Sequence, residues 1–295
     1  MRKDEVKGTS NPGGMEAREN SATLILVSDV DATLLHEETY DCGEVQPLLQ
    51  FLGQKGIPLI LASSKTRREM DVVQGALGLR GPFICENGGA VVIPLGGFSK
   101  AVPGAVTEGD KEVIELGRPV RMLQDALGRM AEEIGLRVRT LPEMDVDEVA
   151  DLTGLPSEQA ALARKREYAL PFLFEGPEGG LGELRRKAER SGLRVTRGGR
   201  LFHLMGDTDK GKAFSRLREL YESSGPSLFV VALGDAENDL SLLREADQPI
   251  VIPKKSGWDP QLADLPAVRL ASRPAPEGWV DEVKAILEER GFHLP

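Results

Sequence analysis

Cysteine and histidine are scarce in this chain. Its 295 residues include two cysteines, Cys42 and Cys85, and three histidines. Two thiols cannot build a disulfide framework, and in a reducing compartment each is expected to be a small core residue. With so few imidazoles to activate them, neither makes a convincing nucleophile. Long apolar runs are missing as well: none approaches the roughly 18 residues that span a bilayer. The opening stretch MRKDEVKGTSNPGGMEAREN has no apolar segment of the signal-peptide kind, so a soluble, cytoplasmic protein with no membrane partner is expected. Basic charge is short, 37 Lys and Arg against 47 Asp and Glu, a formal net charge of -10. That balance argues against a general nucleic-acid surface and leaves room for a local basic pocket.

Apolar residues make up 40% of the chain, ample for a packed core, and the length favours two domains or one domain with a large insertion. Residues 1–20 are polar and aperiodic and are expected to form a disordered tail. The runs ATLILVSD, IPLILASS and SLFVVALGD suit strands covered on both faces, as in a parallel sheet. Helical patterns lie between them: Met70, Val73 and Leu77 share one face, with Ser63 or Ser64 as the expected cap, and Phe214, Leu217 and Tyr221 share another. This order predicts a doubly wound α/β core, Rossmann-like, over residues 21–97 and 199–295. Residues 98–198 read as α+β and interrupt the core as a cap.

In open α/β sheets, ligands bind beyond the carboxyl ends of the strands. Asp29 and Asp31, Ser63, and Asp235 each follow an apolar strand candidate, so a parallel sheet gathers them at one edge. Taken singly, an aspartate after a strand is a helix cap or turn former. The local patterns Asp-x-Asp-x-Thr and GDAEND point instead to a site. Converging carboxylates raise one another's pKa unless a cation lies between them, and their hard oxygens favour Mg²⁺ over zinc. A carboxylate-held metal with a lysine is what phosphoryl transfer needs. Asp29 is suited to be the nucleophile, forming an aspartyl-phosphate, and Asp31 to be the acid and base. Ser63 can offer hydroxyl and N–H donors to phosphate. Lys210 can supply fixed positive charge, with Lys212 as its rival and a solvated helix start as the plain alternative.

DVDAT, the strand end at Ser63, KGKA and GDAEND, in that order, resemble the four motifs of the haloacid dehalogenase superfamily of phosphatases, in the branch with a type IIB cap between the second and third motifs. The resemblance implies Asp29 as nucleophile, Asp31 as acid/base, Ser63 as phosphate-binding hydroxyl and Lys210 as the steadying lysine. It implies a magnesium ion on the Asp29 and Asp235 carboxylates and the Asp31 carbonyl, with Asn238 and Asp239 in support. Ala32 stands where the family commonly has glycine. Longer stretches, among them CENGGAVV, DLTGLPSEQAALARKREYALPFLF and GLRVTRGGRLFHLMGDTDKGKA, are similar to the family of mannosyl-3-phosphoglycerate phosphatases. What that implies is hydrolysis of a phosphorylated sugar-glycerate to mannosylglycerate and phosphate; glucosyl-3-phosphoglycerate, sucrose phosphate and a mutase reaction stay open. Such a substrate needs two anion holders. Ser64, Lys65 and Thr66 lie beside the phosphate motifs, and Arg166, Arg197, Gly198 and Gly199 are cap-side candidates for the carboxylate. A solvated helix face and a hairpin turn are the alternatives there. His203 is a candidate for a sugar hydroxyl or a structural residue, and Asn87 and Gly88 line the phosphate or turn a hairpin. Trp258 and Trp279 read as packing residues. The oligomeric state is open.

Overall fold

The first strand, β1 (Thr23–Ser28), has no wet face: Leu24 and Leu26 enter one apolar core while Ile25 and Val27 enter another. A strand buried on both faces sits inside a sheet covered by helices on each side. The structure, a computed structural model, describes residues 22–294 apart from 38, 40, 177, 199, 200, 224 and 226. The expected N-terminal tail lies outside the described residues.

After β1 come α1 (Val45–Lys55), β2 (Leu59–Ala62), α2 (Arg67–Leu77), β3 (Phe83–Cys85), β4 (Ala90–Pro94), β5 (Ala105–Glu108) and β6 (Lys111–Glu115). The next group is α3 (Val120–Glu133), β7 (Arg137–Thr140), α4 (Val146–Thr153), α5 (Ser157–Ala163), β8 (Ala169–Glu175), α6 (Glu178–Arg190), β9 (Leu193–Gly198) and β10 (Leu201–Gly206). The chain then returns through α7 (Lys210–Glu222), β11 (Leu228–Gly234), α8 (Leu240–Arg244), β12 (Gln248–Val251), α9 (Pro260–Ala263), β13 (Arg269–Leu270) and α10 (Glu277–Glu289).

Nine strands form one sheet in the order β13-β12-β11-β1-β2-β3-β4-β6-β5. From β13 to β3 every pairing is parallel, and from β3 to β5 every pairing is antiparallel. Helices α1, α2 and α10 cover one face through Leu48, Leu52, Met70, Trp279 and Val283. The other face is covered by α7, α8 and α9 through Phe214, Leu217, Leu243 and Leu262. A second, antiparallel sheet, β7-β8-β10-β9, carries α3 and α6 on one side through Leu123, Leu127 and Leu184. On its other side a small cluster of Leu141, Val149, Ala160 and Leu201 holds α4 and α5.

The doubly wound core with an inserted α+β cap is therefore the observed fold. Strand membership moves the expected boundaries, however. Residues 105–115, placed in the cap by the sequence, extend the core sheet as β5 and β6, because Val113 and Ile114 alternate between the two core faces. Residues 201–206, placed in the core, are the cap strand β10. Cys85 is buried in the core and Cys42 is half-buried against it. Trp279 is buried, as expected of a packing residue, whereas Trp258 is 44% exposed.

Candidate active site

Parallel register puts the chemistry at one edge. Ser28 stands opposite both Leu233 and Leu61, so β1, β2 and β11 end together and Asp29, Ser63 and Asp235 emerge side by side. The Asp29 N–H donates to the Leu233 carbonyl at 3.0 Å, fixing the first residue beyond β1. Lys210 opens α7, capped by Asp209, and is fully buried. Its Nζ lies 2.5 Å from Asp29 Oδ1 and 2.5 Å from Asp239 Oδ1. The second Asp239 oxygen accepts the N–H groups of Asp235 at 3.0 Å and Ala236 at 3.1 Å. Asp239 thus closes the GDAEND turn and anchors the lysine at once. Gly234 makes room for it, since a Cβ there would lie 2.5 Å from Asp239 Cβ.

Two further residues complete this centre. Thr33 donates its hydroxyl to Asp235 Oδ1 at 3.1 Å, and Lys254 places Nζ 2.8 Å from Asp235 Oδ2. The sequence reading assigned neither a role. Thr33 is the final residue of the Asp-x-Asp-x-Thr pattern, and Lys254 follows β12, the next strand of the same parallel sheet, so the strand-end signal that found Asp235 also reaches it. Lys212, the rival to Lys210, pairs with Asp207 at 2.6 Å on the exposed side of its helix.

Burial is the largest influence on the Asp29 carboxyl and drives its pKa well above the usual range; Lys210 opposes this, while Asp239, Asp235 and Asp31 add to it. Burial, then Asp239, likewise raises Asp235 against the pull of Lys254. Burial works against the Lys210 charge, yet Asp239 and Asp29 together raise its pKa above the ordinary lysine value. Oxygens of Asp29, Asp235 and Asp239 lie within 4.8 Å of one another, so this buried cluster can hold a metal ion. A hard divalent cation fits: every donor is oxygen, and positive charge relieves the repulsion that pushes the carboxyls up. Both Asp239 oxygens are already engaged, which suits it to a supporting place. Asn238 Nδ2 donates to Asn87 Oδ1 at 3.1 Å and braces the turn from the other side.

A cleft of about 510 Å³ lies between this edge and the cap, lined among others by Asp31, Ser64, Lys65, Arg166 and His203. Lys65 Nζ is 2.9 Å from Asp31 Oδ1. Ser63 is buried, and its hydroxyl accepts the Lys65 N–H at 3.2 Å. Thr66, not Ser63 or Ser64, caps α2: its Oγ1 accepts the Glu69 N–H, and Glu69 Oε2 accepts the Thr66 N–H and hydroxyl at 2.8 Å each. A closed capping box satisfies that hydroxyl locally. Arg166 is held by the core and the cap together. It donates through Nη1 to the Ser64 carbonyl at 2.6 Å and through Nε to the Ala163 carbonyl at 2.8 Å. Arg197 does not join it. That side chain is exposed and lines a separate 260 Å³ cavity with Asn87, Arg194, Asn238 and Arg244. Across the β9–β10 pair His203 faces Thr196, and Arg197 faces Phe202. Gly198 closes β9 opposite Leu201, and Gly199 lies outside the described residues. The Gly88 carbonyl accepts the Thr208 hydroxyl at 2.6 Å, a turn contact with the cap's return linker.

Residues 26–96 match the model of the haloacid dehalogenase-like hydrolases. A glucosyl-3-phosphoglycerate/mannosyl-3-phosphoglycerate phosphatase of Persephonella marina is 35% identical over 275 residues, 90% of this chain and 98% of that one. The chain belongs to this phosphatase family. It is a phosphoric monoester hydrolase of the haloacid dehalogenase type. A mannosyl-3-phosphoglycerate phosphatase of Pyrococcus furiosus is 36% identical over 228 residues, covering 77% of this chain and 90% of that one. Solved phosphatases share the fold at lower identity. One from Bacteroides thetaiotaomicron has a TM-score of 0.66 at 18% identity, over 97% of this chain and 99% of that chain. A subclass IIB sugar phosphatase has a TM-score of 0.58 at 15% identity, over 91% and 99%. No helix among the described residues is long and apolar enough to cross a membrane.

Proposed function

We propose that the chain hydrolyses mannosyl-3-phosphoglycerate to mannosylglycerate and phosphate, through an aspartyl-phosphate on Asp29 and with Mg²⁺ as its metal. The observation that carries this reading is the placement of the 510 Å³ cleft, which joins the Asp31–Lys65 pair of the core to Arg166 and His203 of the cap. Its size suits a sugar-glycerate, and the relatives that match most of the chain are named for such substrates. Asp29 attacks phosphorus in line with the departing ester oxygen, forming a carboxyl-phosphate bond as the ester P–O bond breaks. Asp31, on the cleft side, gives its proton to that oxygen and later takes one from the water that cleaves the acyl phosphate. Lys210 favours the ionised form of Asp29 and orients it, and the Ser63 hydroxyl donates its proton to a phosphate oxygen. Asp29, Asp235 and the Asp31 carbonyl would hold magnesium, which supplies charge neutralisation on the phosphoryl oxygens. Arg166 and Lys65 offer positive charge to the glycerate carboxylate and the phosphate. The Persephonella marina relative is named for both sugars, which favours a second reading in which the glucosyl ester is also a substrate.

Phosphate release from the mannosyl ester, with magnesium and with EDTA, tests the proposal. Magnesium-dependent turnover above that on simple sugar phosphates is expected, and release confined to simple sugar phosphates would remove the substrate assignment.

A further inference from the structure

The turn after β3, Glu86 to Gly89, meets every strand of chain that passes between core and cap. Glu86, Asn87 and Gly88 all have positive φ, at 50°, 55° and 92°, so the turn folds back on itself. Behind it lies the phosphate side: Glu86 N–H donates to the Lys65 carbonyl and Asn87 N–H to the Ser63 carbonyl, both at 2.9 Å. In front lie the linkers. Leu116 and Gly117 N–H groups donate to the Gly89 carbonyl at 2.9 and 2.7 Å, and the Thr208 hydroxyl donates to Gly88. The approach leaves no space for side chains, since a Cβ on Gly88 would fall 2.1 Å from the Asp209 carbonyl oxygen and one on Gly89 2.5 Å from Tyr168 Cβ.

The Glu86 side chain is fully buried, and nothing in the reaction uses it. Its Oε1 accepts the Glu167 N–H at 2.8 Å, and its Oε2 accepts those of Tyr168 at 2.9 Å and Ala169 at 2.7 Å. Three donors on two oxygens demand an acceptor-only carboxylate, because an amide or a protonated acid turns one N–H against a donor. The segment so gripped begins one residue after Arg166 and runs into β8, the strand beside His203-bearing β10. We propose that Glu86 is a positioning residue: its carboxylate clamps the cap segment Glu167–Ala169 to the Ser63–Lys65 turn, setting Arg166 against the phosphate site. The clamp acts on substrates that reach the cap, and leaves the chemistry at Asp29 alone.

Glu86→Gln tests this, with Thr208→Val as the partner variant that loosens the same turn from the return linker. Each is assayed against wild type on mannosyl-3-phosphoglycerate and on p-nitrophenyl phosphate, which is too short to engage the cap, with melting curves alongside. A fall of about tenfold or more in kcat/KM for Glu86→Gln on the sugar ester, chiefly through KM, with p-nitrophenyl phosphate turnover nearly unchanged, is expected from the loss of charged hydrogen bonds. Thr208→Val, losing one neutral bond, should shift the same ratio in the same direction by less. Equal losses on both substrates make Glu86 merely structural and overturn the proposal, as does no loss on either. If Glu86→Gln does not fold, the Thr208→Val ratio decides alone. The choice of sugar ester rests on the substrate reading above. Wild-type failure on that ester sinks that reading only, and the ratio is then taken with the sugar phosphate that wild type hydrolyses best.

Discussion

At the scale of single residues, the site is a set of buried charges that folding alone leaves under strain. Asp29→Asn removes the proposed nucleophile and one of the repelling carboxylates together. Turnover should vanish while the melting temperature holds or rises, and residual activity near wild type would exclude the nucleophile role. Asp31→Asn should lower kcat by about 10² to 10⁴, the usual worth of a general acid and base. Ala32, at the position where the resemblance leads one to expect glycine, sits at φ 58°. The left-handed backbone costs an alanine about 1–2 kcal/mol, against about 0.4–1 kcal/mol of chain entropy that glycine adds to the unfolded state. Ala32→Gly should therefore stabilise by up to about 1.6 kcal/mol in urea unfolding, and a clear destabilisation would contradict the strain. Asp29, Asp31, Ser63, Lys210 and Asp235 were legible because strand ends and short motifs are local signals. Thr33 and Lys254 carry the same local signals, but their contacts with Asp235 also depend on which strands become neighbours.

At the scale of elements, the lysine and the acidic turn are brought together by the crossing of α7 and α8. Gly211 makes that crossing possible: a Cβ there would lie 2.4 Å from the Ser241 backbone oxygen. Gly211→Ala should force the two helices apart, costing about 1–3 kcal/mol and lowering kcat, because Lys210 and Asp239 ride on the separated elements. A crystal structure with an unmoved Lys210–Asp239 pair would contradict this. Apolar runs and 3.6-residue periodicity showed the core strands and helices in the sequence, and the α+β character of the cap. What escaped was the pairing partner. Residues 105–115 look like any short amphipathic hairpin, and only the sheet decides that they extend the core. The cap of α2 was missed for a similar reason, since Ser63, Ser64 and Thr66 are all cap formers and the capping box with Glu69 selects the last.

At the scale of the whole molecule, the cap is joined to the core through residues 116–119 and 207–209, so a closing motion of the cap is predicted to turn there and not at residues 96–100, the segment that a boundary at 98 implies. Hydrogen exchange with orthovanadate and magnesium should slow at 116–119 and 207–209 and leave 96–100 unchanged; the reverse pattern would return the hinge to the earlier segment. Stability should depend on pH and metal jointly. A carboxyl whose pKa is raised by folding contributes full stability below its unfolded value of about 3.9, and loses it as pH rises through the folded value. Asp29 and Asp235, both raised, should thus weaken the metal-free chain as pH climbs from about 4 toward neutrality. Magnesium should restore more melting temperature at about pH 7.5 than at about pH 5, and an equal gain at both would contradict a cation seated on these carboxyls. The measurement that bears most directly on the proposed function is phosphate release from mannosyl-3-phosphoglycerate by wild type and Asp29→Asn, beside the glucosyl ester and simple sugar phosphates, with magnesium or EDTA. Fast release from the glycerate esters, lost both with EDTA and in the variant, is the predicted result; release that survives in Asp29→Asn, or that ignores the glycerate, would contradict it.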